Sequence, residues 1–376
     1  MLSRLVNHIR AAVGYGHSHH EHKPVDTKSL RNVRALFILK RREDYSVDLS
    51  NFHEKTVATG MWHSAGYVAD MLTAHGAATK VIVVTDNNDI DREVSQFQAT
   101  HVFIEGYWVV PEKFDILKQL HPGVTWVVRC HSEIAFLAGE GIALAWTSGY
   151  LARGVYVAGN SPRNSADLSI FALGQGFDPS LVAFLPNSYP VNLKELPDER
   201  TLDLEDTLSI GCFGAIRPLK NQLTQAIAAY AYAHQQGKYL KFYINAGRIE
   251  MSGLNTLKNL RSFFDPLSDA ELIEIPWCSS EDFLAVLAQM DVSLQVSFTE
   301  TFNLVSADAL RAGTPIVTST EVPFATEGTA DPTSVFSIVE AIGDALENPF
   351  NNVSTNRATL RQYVAESAAT WYDWLK

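Results

Sequence analysis

Short apolar runs alternate with helical patterns along most of this chain. Val33 to Leu39, Val81 to Thr85, Thr100 to Ile104, Val124 to Val128, Val155 to Ala158 and Leu181 to Leu185 read as strands in the first half. Between the first two, His63 to His75 reads as a helix with Tyr67, Val68, Met71 and Leu72 on one face. A polar, charged segment follows from Asn192 to Asp206, with the composition of an interdomain linker. The pattern then restarts. Leu208 to Phe213, Leu240 to Asn245, Glu271 to Ile275, Val292 to Val296 and Thr314 to Thr318 read as strands. Leu223 to His234, Ser280 to Met290, Asp331 to Leu346 and Thr355 to Leu375 read as helices. Apolar strands alternating with helices predict parallel sheets covered on both faces.

The fold class expected is therefore α/β, with two Rossmann-like domains and a cleft between them. The expected division is an N-terminal helix and His-rich linker over 1–30, a first domain over 31–195, a second over 205–350 and a C-terminal helix over 351–376. A length of 376 residues suits two domains better than one core. Leu2, Leu5, Val6, Ile9 and Val13 share one helical face, so the first residues predict an amphipathic helix, packed on the domain or on a partner. His17, His19, His20 and His22 form a short tract of the kind that binds metals without preset geometry, so no metal site is assigned.

Composition narrows the classes. A net charge of −12 disfavours a general nucleic-acid coat and strong attraction to anionic membranes. No apolar run reaches the ~18–20 residues of a membrane span; the longest candidate, near Ile134 to Trp146, is interrupted by Glu140. Cys130, Cys212 and Cys278 are far apart and odd in number, which fits a reducing, cytoplasmic setting.

Open parallel sheets bind ligands beyond the carboxyl ends of their strands, so the residues after each strand are the candidates. In the second half, the first strand runs into Gly214-Ala215-Ile216-Arg217-Pro218-Leu219-Lys220 and then a helix. Arg217 can fork onto phosphate oxygens and Lys220 can act as a point charge. Later come Glu300 and, eight positions on, Asp308, separated by the turn Thr301-Phe302-Asn303 and the start of a helix at Leu304. Amides at such a helix start can hold a diphosphate, and carboxylates can accept from sugar hydroxyls. In the first half, VTWVV ends in Arg129-Cys130-His131-Ser132-Glu133. His131 is a candidate catalytic group and Glu133 the nearest alternative acid or base, with Arg129 as its expected ion-pair partner. Glu105 ends another strand beside Tyr107 and Trp108, and Asn160 and Asn187 end two more. No P-loop, nucleophile elbow or D-x-D strand end is present.

The stretch ETFNLVSADALRAGTPIV, Glu300 to Val317, resembles the E-x7-E signature of retaining, family-four-like glycosyltransferases of the GT-B architecture, roughly E-G-F-G-L-x-x-x-E-A-x-A-x-G-x-P-V-V. Asn303 stands for a glycine of that pattern and Asp308 for its second glutamate. The Arg217 and Lys220 segment is similar to the family's G-R-x(n)-K-G, with a shorter spacing. The resemblance implies that Arg217, Lys220 and the backbone of Phe302, Asn303 and Leu304 bind the donor diphosphate. It further implies that Glu300 positions the sugar and Asp308 holds the ribose. It implies a role for His131 near the sugar or the reacting oxygens. Asn187 resembles the family's P-N-G hinge, and Ser64-Ala65-Gly66 resembles the glycine turn that approaches donor phosphates. The implied substrate is a nucleotide-diphosphate sugar with no further cofactor. The whole chain also resembles glycosyltransferases of phage and prophage genomes, some of which modify hydroxymethylated DNA bases. Lys40-Arg41-Arg42 is the one basic cluster of the first half suited to phosphates. The acceptor stays open between a saccharide, a lipid-linked group and DNA. A nucleotide-sugar-binding protein without turnover and a sugar-nucleotide epimerase are the alternatives.

Overall fold

The structure is a computed structural model and describes residues 30–41, 60–192 and 206–376. The expected N-terminal helix, the His-rich tract, Arg42 of the basic cluster and most of the 192–206 segment lie outside the described residues. The described chain forms two compact units. The first comprises 30–41, 60–189 and 364–376, and the second 190–192 and 206–363.

The first unit is built on β1 (Arg34–Lys40), β2 (Ala78–Val84), β3 (His101–Glu105), β4 (Thr125–Cys130), β5 (Tyr156–Gly159) and β6 (Val182–Phe184). They form one parallel sheet in the order β2-β1-β3-β4-β5-β6. The helices are α1 (Gly60–Ala74), α2 (Asp89–Phe97), α3 (Lys113–Leu120), α4 (Ile134–Leu137), α5 (Ala143–Leu151) and α6 (Pro162–Gly174). Successive side chains of a strand point to opposite faces. Leu36 and Ile38 of β1, Val102 and Ile104 of β3, and Trp126 and Val128 of β4 accordingly enter one core. Phe37, Phe103 and Val127 enter another. Burial on both sides explains why these strands read as continuous apolar runs. The apolar stretch near Ile134 to Trp146 becomes two short helices, α4 and α5.

The second unit holds β7 (Thr207–Gly211), β8 (Tyr239–Asn245), β9 (Ala270–Ile275), β10 (Val292–Gln295) and β11 (Ile316–Thr318). Its parallel sheet has the order β11-β10-β7-β8-β9. The helices are α7 (Gln222–Gln235), α8 (Gly253–Phe264), α9 (Ser280–Leu287), α10 (Leu304–Ala312), α11 (Val335–Glu347) and α12 (Pro349–Leu375). The chain order reverses between β7 and β10, and in the first sheet between β1 and β3. Such a switch point opens a crevice at the carboxyl ends of the strands, where ligands of doubly wound sheets bind. The fold class is thus α/β with two Rossmann-like units.

The end of α12, from Val364, groups with the first unit. Trp371 is fully buried, with its ring 5.1 Å from Phe103 and 6.1 Å from Phe37. Its indole Nε1 donates to the Pro186 carbonyl at 2.7 Å.

Candidate functional site

The second unit gathers its candidates at the switch point. Gly214, just beyond β7, has φ +108°, and its amide donates to Asn245 Oδ1 at 2.9 Å. A Cβ there would lie 3.9 Å from Val305, so this loop runs beside the first turn of α10. Buried amide side chains tie the β7 loop to the end of β10. Gln295 Nε2 donates to the Phe213 carbonyl at 2.9 Å, Asn221 Nδ2 to the Val296 carbonyl at 3.1 Å, and Gln225 Nε2 to the Lys220 carbonyl at 2.8 Å. The Val296 amide donates to Gln225 Oε1 at 2.8 Å, and the Phe298 amide to the Leu219 carbonyl at 3.0 Å.

This frame brings the side chains of Lys220 and Glu300 into direct ion-paired contact, although 80 residues separate them. Both are mostly buried, at 13% and 7% side-chain exposure. Burial opposes ionisation of Glu300, but the charges of Lys220 and Arg217 outweigh it, so the carboxyl sits below its usual range. Arg217 Nη1 lies 3.2 Å from Glu250 Oε2. The other Glu250 oxygen meets Arg248, whose guanidinium is 5.5 Å from the Trp277 ring centre.

Asn303 shows how the glycine departure is accommodated. Its φ of 70° lies in the left-handed region, which Asn enters more readily than most residues. Its Oδ1 then accepts from the Ser306 amide at 2.9 Å and caps α10, while its Nδ2 donates to Gln295 Oε1 at 3.0 Å. The cap takes the third helical amide. The amides of Leu304 and Val305 stand at the start of the helix, where no intrahelical acceptor exists. Phe302 has only its backbone to offer a ligand, because its side chain is buried against Phe324 and Tyr363 at ring distances of 5.0 and 5.4 Å. Leu304, Val305 and Asp308 are partly exposed, while Ser306, Ala307, Ala309 and Leu310 of the same helix are buried. Helical spacing therefore sets Asp308 one turn behind Leu304 on the outward face.

The first unit gathers a buried polar network at the carboxyl ends of β3 to β6. Glu105 is 1% exposed and Arg129 0%. Arg129 Nη1 donates to the Glu105 oxygens at 2.9 and 3.2 Å, and its Nη2 donates to Asn187 Oδ1 at 3.0 Å. Ser64 Oγ donates to the same Asn187 oxygen at 2.5 Å. His131 Nε2 contacts Glu105 Oε2, and Asn160 Nδ2 lies 3.2 Å from His131 Nδ1. Both ring nitrogens of His131 thus meet residues of their own unit. Burial alone would raise the Glu105 carboxyl, and the charges of Arg129 and His131 more than offset it, leaving it below its usual range.

The expected pairing of Arg129 with Glu133 is not formed. Strand order decides this, since Arg129 on β4 sits in register with Glu105 on β3. Glu133 instead accepts from Ser161 Oγ and lies 3.4 Å from Arg163 Nε. Burial pushes its carboxyl above the usual range, against the opposing influence of Ser161 and Arg163. Ser64 and Gly66 also differ from expectation. They lie inside α1, which starts at Gly60, and not in a turn before a helix. Among the described residues, no atom lies within 4 Å of a Cβ added at Gly66.

Reading strand ends did not find Gln225, Gln295, Arg248 or Glu250. Gln295 was the visible signal, a lone amide inside the apolar run Val292 to Val296. The Cys130 and Cys212 thiols are buried and pushed up to about 11 and about 12, so neither is a nucleophile at neutral pH. Among the described residues, no helix is long and apolar enough to cross a membrane.

No family model matches the chain, and no curated protein matches it. Its fold does match solved structures. Anabaena HepE in complex with UDP-glucose is 13% identical, with a TM-score of 0.55 over 89% of this chain and 99% of that one. Sucrose-phosphate synthase from Thermosynechococcus elongatus is 14% identical, with a TM-score of 0.62 over 91% and 99%. The E. coli trehalose-6-phosphate structure bound with UDP-2-fluoro glucose is 10% identical, with a TM-score of 0.60 over 90% and 97%. At these identities the likeness is one of fold, the two-Rossmann fold of GT-B glycosyltransferases.

Proposed function

We propose that this protein is a glycosyltransferase that takes a sugar from a nucleotide-diphosphate donor bound on the second unit. The observation that carries this reading is the convergence at the β7/β10 switch point. A glycine loop, the Lys220 and Glu300 pair, Arg217 and the start of α10 meet where doubly wound sheets bind ligands. The UDP-sugars held by HepE and by the E. coli structure support a nucleotide sugar as the donor.

In this reading the diphosphate lies against the amides of Leu304 and Val305, with Arg217 and Lys220 as its counter-charges. The departing diphosphate gains negative charge in the transition state, and preorganised donors stabilise it. Glu300 accepts from sugar hydroxyls and Asp308 from the ribose. Retention of anomeric configuration follows from the resemblance to the E-x7-E enzymes. His131 and Glu133 are the proposed contributions of the first unit, and the donor needs no further cofactor. The acceptor class is a saccharide, a lipid-linked group or a hydroxymethylated DNA base.

The experiment is incubation with UDP-glucose and its GDP, ADP, CDP and dTDP counterparts, with products resolved by chromatography. Transfer predicts release of nucleoside diphosphate that rises with a suitable acceptor and is lost in Lys220→Ala. A donor that is bound and never consumed, with every acceptor class tried, contradicts turnover. Conversion to an isomeric nucleotide sugar without acceptor identifies an epimerase.

A further inference from the structure

Glu250 joins two arginines on the loops that follow β7 and β8. One carboxylate oxygen is 3.2 Å from Arg217 Nη1, and the other contacts Arg248 Nη2. All three side chains are partly open, at 21%, 17% and 20% exposure for Arg217, Glu250 and Arg248. The loops are locked together by backbone. Ile216 forms a parallel bridge with Ile249, the Ile216 amide donates to the Arg248 carbonyl at 2.9 Å, and the Glu250 amide donates to the Ile216 carbonyl at 3.0 Å. Gly253 is packed so closely that a Cβ would lie 2.0 Å from the Ile216 carbonyl oxygen. Trp277 supports the Arg248 guanidinium from the end of β9. Two guanidiniums held by one carboxylate at a proposed diphosphate site form an anion cradle already filled by an internal anion.

We infer that Glu250 takes the place of a donor phosphate until a donor binds, and that Arg248 is a third phosphate-binding cation beside Arg217 and Lys220. This rests on the donor reading of the second unit and adds to it a residue that competes with the ligand. A diphosphate entering the site takes over the guanidiniums and displaces the Glu250 carboxylate. The exchange replaces one bridging anion by another, because Arg pairs with phosphate and carboxylate alike. Glu250 thereby lowers affinity for any phosphate-bearing ligand while leaving the nucleoside part of the interaction untouched.

Calorimetric titration of UDP and of uridine into wild type, Glu250→Gln and Arg248→Ala tests this, after UDP, GDP, ADP, CDP and dTDP have each been titrated into wild type; where another diphosphate binds in place of UDP, it and its nucleoside take the places of UDP and uridine. Glu250→Gln is expected to tighten UDP by about tenfold, the equivalent of one charge-assisted contact no longer displaced, with uridine unchanged. Arg248→Ala is expected to weaken UDP by about tenfold, again with uridine unchanged. Wild type that binds UDP, with the UDP-to-uridine ratio unmoved in both variants, overturns the inference and leaves the donor site standing. UDP binding weakened in Glu250→Gln also overturns it, since Glu250 then organises the loop instead of competing. Wild type that binds none of the nucleoside diphosphates overturns the donor reading and this inference together.

Discussion

At the residue scale, Asn303 is the sharpest case of one side chain meeting two demands. It holds a left-handed backbone and caps α10. Asn303→Gly keeps the backbone and loses the cap, at an expected cost of a few tenths of a kcal/mol. Asn303→Ala loses the cap and strains the backbone, for about 2 kcal/mol in all. Urea unfolding of the pair checks the order. Glu133 supplies a pH prediction. Its folded carboxyl titrates above its ordinary value because it is buried. Keeping the carboxyl in that site therefore costs nothing below the ordinary carboxylate pKa of about 4.3. The cost grows as pH rises through the raised folded pKa. Glu133→Gln should gain stability relative to wild type between pH 4 and pH 7 in thermal unfolding. A constant difference across that range would contradict the assignment. Glu300, Lys220, Arg217 and Asn303 were legible because their positions follow a strand or precede a helix. The partners of Arg129 and Glu133 were not, because they depend on which strands lie side by side.

At the element scale, all eleven strands of the described residues were visible as apolar runs, with ends shifted by one to a few residues. Burial on both faces makes the runs of β1, β4 and β10 conspicuous. The last helix was harder. It starts at Pro349, earlier than its pattern suggested, and its final turns belong to the first unit's core. No local signal announces that, because Trp371 finds Phe37, Phe103 and the Pro186 carbonyl only after the chain has returned. Trp371→Ala is expected to destabilise the first unit by about 3–5 kcal/mol through the cavity it leaves. Trp371→Phe should cost about 1–3 kcal/mol, for the buried Pro186 carbonyl left without its donor. Denaturant midpoints read by circular dichroism distinguish the two.

At the scale of the whole molecule, the net charge of −12 bears on the proposed acceptor class. Binding to duplex DNA draws on neutralised phosphates, so this chain should show no retention of duplex DNA in a gel shift at about 0.15 M salt. Association that falls steeply with salt would point to a local basic groove and favour a nucleic-acid acceptor. The doubly wound topology of the second unit brings separate motifs together, by setting the ends of β7 and β10 side by side at the switch point. The measurement that tests this most directly is thermal unfolding of wild type and Lys220→Ala with nucleoside diphosphates. At about 100 times its dissociation constant, one of UDP, GDP, ADP, CDP or dTDP should stabilise wild type by about 2.7 kcal/mol, and the variant far less at the same concentration. Stabilisation by none of the five, or equal stabilisation of both proteins, would contradict a donor site built on Lys220 and Glu300.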